Sequence, residues 1–122
     1  MARLPISPYQ AYDAVQRSAQ PKRQAEAMAF ARAATMLEIA CRSPLARRRF
    51  DAALRRNQVL WTMVQAEVAT PGNRLPAPIR DNLLQLAAFV DRQTVAALAS
   101  GDPRDADALI AVNRDIARGL LG

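Results

Sequence analysis

The chain has no histidine, one cysteine and one lysine among its 122 residues. Without histidine it lacks the commonest general base and the commonest metal ligand. The lone thiol, Cys41, can neither close an internal disulfide nor build a multi-cysteine metal site. Long hydrophobic runs are missing too. The most apolar stretch, around Ala25 to Cys41, is broken by Arg32 and Glu38, whereas a bilayer crossing needs about 20 mostly apolar residues. The opening MARLPISPYQ has no apolar h-region of a secretory signal, so a cytoplasmic location is expected. No run alternates apolar and polar residues as a strand does.

What is present is alanine, arginine and helical periodicity. A hydrophobic content of 51% is ordinary for a globular protein. The length suits one core, and abundant alanine favours helix. The net charge is +6, with 17 basic against 11 acidic residues and Lys22 as the only lysine. Arginine in place of lysine fits recognition of carboxylate or phosphate. It fits equally a genome that favours arginine codons.

Proline and glycine divide the chain into helical stretches. Ser7 as N-cap and Pro8 at the first helical position open a short leading helix. A second helix is expected from Pro21 to Cys41, with Phe30, Ala33, Ala34, Leu37, Ala40 and Cys41 on one side. Ser43 and Pro44 stop it and cap the next helix, which runs to about Ala69. TPGNRLP is a loop turning at Gly72 and Asn73. The third long helix starts near Pro76 and ends before Gly101, with Leu75 placed to staple onto Ile79. Its stripe is Ile79, Leu83, Leu86, Val90 and Ala97. Asp102 and Pro103 open a last helix to about Leu120. Short connections make consecutive helices antiparallel. The expectation is one all-α domain, residues 1–122: a compact antiparallel bundle of four long helices over 21–122, plus a short N-terminal helix or arm over about 1–20.

Two asparagines interrupt two apolar stripes. Phe50, Leu54, Asn57, Trp61, Val64 and Val68 follow spacings of four and three, and at about 100° per residue they share an arc of roughly 80°. Leu109, Asn113, Ile116 and Leu120 repeat the device. In an up-down-up-down bundle these helices run parallel, which puts Asn57 and Asn113 at similar depth. A buried amide without partners costs about 1–3 kcal/mol, so both are expected to be buried and linked, directly or closely. Such a pair can set helix register, as core asparagines do in coiled coils. It can also line a groove and read a partner's backbone.

Catalytic patterns are absent: no nucleophile motif, phosphate-binding glycine loop or metal spacing. Asp102, Asp105 and Asp107 lack the glycine and terminal glutamate of an EF-hand loop; helix capping and the helix dipole explain them. No enzymatic activity, cofactor or small-molecule substrate is expected. A basic cluster, Arg42, Arg47, Arg48, Arg49, Arg55 and Arg56, crowds the start of the second long helix. Asp51 lies four residues from both Arg47 and Arg55 and should pair along the helix. The cluster is either a solvated or protein-docking face, or a phosphate-binding one. Phe30, Phe50, Trp61 and Phe89 belong to apolar faces, which leaves only Tyr9 and Tyr12 to stack on bases. The candidate partner surface is therefore Arg47, Arg48, Arg55 and Arg56 with Tyr9 and Tyr12.

The fragments LRRNQVLWT, PGNRLP and LIAVNRDIARGLL, in that order and spacing, resemble the FlaF family of alphaproteobacterial flagellar biosynthesis regulators. YQAYDAVQRSAQPKRQAEAMAF fits as well, so the resemblance covers nearly the whole chain. Its most telling residues are Asn57, Leu60 and Trp61; Asn73, Leu75 and Pro76; and Asn113, Arg114 and Ile116, followed by Gly119 and Leu120. The resemblance implies a small cytoplasmic protein needed for flagellin production and filament assembly, acting after transcription at synthesis or export. It implies flagellin as a partner, bound in the manner of an export chaperone, and a functional link to the regulator FlbT. Contact with flagellin messenger RNA, direct or through FlbT, is the alternative.

Overall fold

Alanine-rich stretches with apolar residues every three or four positions bury one face each, and that requirement organises the computed structural model. It describes the backbone of residues 8–43 and 46–121 and the side chains of 22–43 and 46–120. Helix α1 is Pro8–Cys41, α2 is Arg47–Ala69, α3 is Ala77–Ser100 and α4 is Asp107–Leu121, the last entered through a 3-10 turn at Pro103–Ala106. The four interacting helices form a compact antiparallel bundle, and no strand occurs among the described residues. The contacts run α1 on α4, α1 on α2, and α2 on α3, with α3 touching α4 more sparingly. Helices α2 and α4 therefore face each other across the diagonal. No described helix is long and apolar enough to cross a membrane.

Three boundaries differ from the sequence expectation. The leading helix and the one expected from Pro21 are a single helix of 34 residues. A proline inside a helix removes one backbone hydrogen bond, but the surrounding alanines, glutamines and arginines are good helix formers and carry the helix across. Ser7, the expected cap, lies outside the described residues. Helix α2 begins later than expected, with Ala46 as N-cap and no side-chain cap. Ser43 contributes only its carbonyl, which accepts from the Ala46 N–H at 2.9 Å; Pro44 lies outside the described residues. Asp102 does cap as expected, its carboxylate accepting from the Arg104 N–H at 2.9 Å, but the turn it caps is 3-10 before α4 starts.

The core contains Phe30, Leu37, Phe50, Leu54, Trp61, Val90 and Leu109, filled in by alanines of every helix. Trp61 meets Phe30 edge-to-face at 5.5 Å between ring centroids and 65° between planes, the arrangement that aromatic quadrupoles favour. The α3 stripe holds at Val90 and Ala97 but fails at its start, where Ile79 is exposed along with Leu75. Helix α4 has 15 residues against 24 in α3. At about 1.5 Å per residue it runs back along roughly 22 Å of a 36 Å neighbour, so the first turns of α3 lie beyond it.

Candidate functional site

The polar centre of the bundle starts from Trp61. An indole N–H can only donate, and Trp61 Nε1 donates to Asn113 Oδ1 at 2.9 Å. That contact orients the amide: with its oxygen on the tryptophan, Asn113 must present Nδ2 on its other side. Asn113 Nδ2 donates to Asn57 Oδ1 at 2.6 Å, across the diagonal from α4 to α2. Asn57 in turn must direct its own Nδ2 away, and that donor is buried without a partner. Both asparagines and Trp61 are fully buried. The result is a one-way chain of donors, from indole to amide to amide, ending in one orphaned N–H. No titratable group belongs to it, so it can fix geometry but cannot move protons.

The TPGNRLP loop is built around Asn73. Its Nδ2 donates to the Glu67 carbonyl at 3.1 Å and its Oδ1 accepts from the Leu75 N–H at 2.9 Å, a local clamp of the kind asparagine makes in turns. Pro76 follows as the N-cap position of α3. Leu75 and Pro76 are exposed. Arg114, one position after the buried Asn113, points outward and pairs with Glu38 of α1, which also takes Arg42 at 3.0 Å. The hydrogen bond from Arg114, followed by its charge, holds the Glu38 carboxyl below the ordinary value. Arg114 therefore ties α4 to α1.

The arginine cluster divides. Arg47 pairs with Asp51 at 3.0 Å and donates to the Leu98 carbonyl, joining α2 to the end of α3. Asp51 thus takes Arg47 and not Arg55. Arg48, Arg49, Arg55 and Arg56 are exposed, and among the described residues none has a carboxylate within 4.0 Å. Phe30, Phe50 and Trp61 are buried and Phe89 is half-buried, so none of the four is a free stacking platform. The side chains of Tyr9 and Tyr12 lie outside the described residues. No group of three or more cysteine, aspartate or glutamate side chains that could hold a metal occurs among the described residues.

Next to these arginines lies a groove of about 440 Å³ between α1 and α2. Met36, Ile39, Ala40 and Ser43 form one wall; Arg49, Ala52, Ala53 and Arg56 form the other. Each wall has the i, i+3, i+4, i+7 spacing of one helix face. The alanines keep the floor low, Ile39 stands 58% exposed at the edge, and Arg56 lays its guanidinium on the Met36 sulfur at 3.4 Å. Sequence reasoning picked out Arg56 as candidate surface and Arg49 only as a member of the basic cluster, and it missed Met36 and Ile39 as lining residues. Each helix carries an adequate core stripe elsewhere, so its periodicity does not require a second apolar patch. The signal was the apolar residues left over once the core stripes were assigned.

No curated protein and no solved structure matches the chain. The model of the family described as flagellar protein FlaF matches residues 8–120. That span takes in all four helices, the Asn57–Trp61–Asn113 centre, the Asn73 loop and the groove, and the chain accordingly belongs to the FlaF family of flagellar proteins, with a role related to flagellar biogenesis.

Proposed function

We propose that this chain is a non-enzymatic regulator of flagellin synthesis or export that works in the cytoplasm by binding flagellin as a chaperone does. The observation that carries the reading is the arginine-edged groove between α1 and α2, on a chain of a flagellar family. A groove with an apolar floor receives the apolar face of a partner helix, and positive edges speed and orient the approach of an acidic partner. No cofactor or small-molecule substrate enters this mechanism. The amide pair Asn57–Asn113 is assigned to the register of the bundle and not to recognition, because both side chains are fully buried.

A second reading rests on Arg48, Arg49, Arg55 and Arg56, which have no carboxylate within 4.0 Å among the described residues. They suit phosphate contacts with flagellin messenger RNA, made directly or together with FlbT. Salt separates the two. Four phosphate contacts to single-stranded RNA give a log–log slope of about −2.8, which is roughly a 50-fold loss of affinity between about 50 and about 200 mM salt. Binding through an apolar groove changes far less over that range. The decisive experiment is calorimetric titration of the purified chain with purified flagellin, and separately with flagellin messenger RNA, at both salt concentrations. It is joined to cross-linking in flagellated cells to identify what the chain touches. Micromolar flagellin binding with weak salt dependence supports the proposal. Absence of flagellin binding, alongside steeply salt-dependent RNA binding lost in the Arg48→Glu, Arg55→Glu double variant, replaces it with the second reading.

A further inference from the structure

The groove is one part of a longer seam. The contacts Lys22–Glu67, Phe30–Trp61 and Arg56–Met36 place α1 and α2 antiparallel in a constant register. Continuing along α2 from Ala52 of the groove, Val59 and Met63 recur at spacings of seven and four, within an arc of roughly 40° at about 100° per residue. Val59 is 60% and Met63 64% exposed. From Arg49 to Met63 the strip extends about 21 Å, four helical turns, before the Lys22–Glu67 pair closes its far end.

Its edges are positive and lack counter-charges. Arg32 on α1 and Arg48, Arg49, Arg55 and Arg56 on α2 border the strip, and among the described residues none pairs with a carboxylate. Outside the strip Arg42, Arg47, Arg104, Arg114 and Arg118 each have a carboxylate partner. Arg23, Arg74, Arg80 and Arg92 stand unpaired among the described residues but scattered along the chain, whereas the strip gathers five such arginines along one seam. The strip therefore lacks two things that a partner must supply, an apolar cover and negative charge on either side of it.

We propose that the α1–α2 seam is the docking site for an amphipathic helix of a partner protein, one with acidic residues flanking its apolar stripe. Two helices with alanines at their junction leave a trough that a third helix enters at ordinary interaxial distance, about 8–10 Å. Anchors at i, i+4, i+7 and i+11 of that helix meet Met36 and Ile39 on one side and Val59 and Met63 on the other. Methionine suits such a surface because its unbranched side chain adapts to irregular partners. A second copy of this chain does not fit, since it would set the same arginines against each other on molecules of net charge +6. The inference deepens the protein-binding reading above and rests on it, but it does not require the partner to be flagellin.

The test uses the full chain with its methionine methyl groups labelled with ¹³C, because two of its four methionines line the strip. The probes are a synthetic helix of about four turns, with leucines along one stripe and glutamates on both flanks, and the same helix with lysines replacing the glutamates. The acidic helix is expected to bind and to shift the Met36 and Met63 methyl signals, with the lysine helix about tenfold weaker or worse. Arg49→Glu with Arg56→Glu reverses that preference. Val59→Glu weakens the acidic helix by about tenfold without changing the thermal midpoint, because the side chain is exposed. The inference is overturned if the acidic helix fails to bind, if it leaves Met36 and Met63 unmoved, or if both helices bind equally. It is overturned equally if the chain alone self-associates with rising concentration through these two methyl groups. Purified flagellin as a further probe separates the two proposals. Flagellin that binds without moving Met36 and Met63 refutes the seam and keeps the function, whereas an acidic helix seated there with no flagellin binding does the reverse.

Discussion

Truncating Asn113 and truncating Asn57 should have unequal effects, although the two side chains are chemically identical and equally buried. In the native protein one buried donor of the network, Asn57 Nδ2, has no partner. Asn57→Ala deletes that orphan and creates another, Asn113 Nδ2, whose acceptor has gone. The number of unsatisfied groups is unchanged, and the cost is the lost hydrogen bond plus a small cavity, about 1–3 kcal/mol. Asn113→Ala makes a similar cavity but keeps the Asn57 orphan and adds two more, Trp61 Nε1–H and Asn57 Oδ1. At about 1–3 kcal/mol for each buried unpartnered group, Asn113→Ala should be less stable than Asn57→Ala by about 2 kcal/mol or more. For a chain of this size that is a further drop in Tm of roughly 8 °C. Urea and thermal unfolding followed by circular dichroism measure the difference, and Trp61, the only tryptophan, reports locally by fluorescence. A double-mutant cycle with Trp61→Phe should recover about 1–3 kcal/mol of the Asn113→Ala penalty, because phenylalanine has no N–H to strand. Equal stabilities, or Asn57→Ala as the worse variant, would refute the one-way chain of donors.

Gly101 ends α3 with φ +66°, and a Cβ there would collide with the Arg47 guanidinium; Gly101→Ala should cost about 1–2 kcal/mol in urea unfolding, of which the part due to Arg47 disappears in an Arg47→Ala background. The Glu38 carboxyl is held below its ordinary value of 4.5 by Arg114 and then Arg42. A depressed carboxyl stabilises the fold above its unfolded pKa, and the effect is lost as pH falls through the folded value. Wild type should therefore exceed Glu38→Gln in Tm at pH 7, with the gap closing at pH values below about 4; a gap that persists at low pH contradicts the ion pair. Burial, followed by the charges of Asp107 and Glu38, pushes the Cys41 thiol up. Its alkylation by iodoacetamide at neutral pH should be slower in the folded chain than in urea, and equal rates would show that the site is open.

Much of this architecture was legible in the sequence because the signals are local. The stripe from Phe50 to Val68 buries as its spacing requires except at the half-buried Val64, and Gly72 and Gly101 turn the chain where their type predicts. Asn57 and Asn113 sit at positions where only burial makes sense, and the amides meet. The misreadings share one physical origin. Pro21, Ser43 and Ile79 each carry a local preference, and neighbouring helix formers, a later helix start and a short α4 override it in turn. The arginine cluster was visible as a cluster, but its division was not. Whether an arginine is engaged depends on carbonyls and carboxylates from other helices, as Arg47 on Leu98 and Arg114 on Glu38 illustrate.

The sequence by itself determined that the chain is helical, where most of its helices end, which faces seek the core, and that two amides interrupt those faces. These follow from periodicity and turn chemistry, which act over a few residues. Only the tertiary structure decided the direction of the amide chain, because the donor-only indole of Trp61 has to be brought against Asn113 from another helix. It also decided that leftover apolar residues of α1 and α2 come together beside arginines that lack partners. A groove belongs to two helices at once, and no periodicity within either one encodes it.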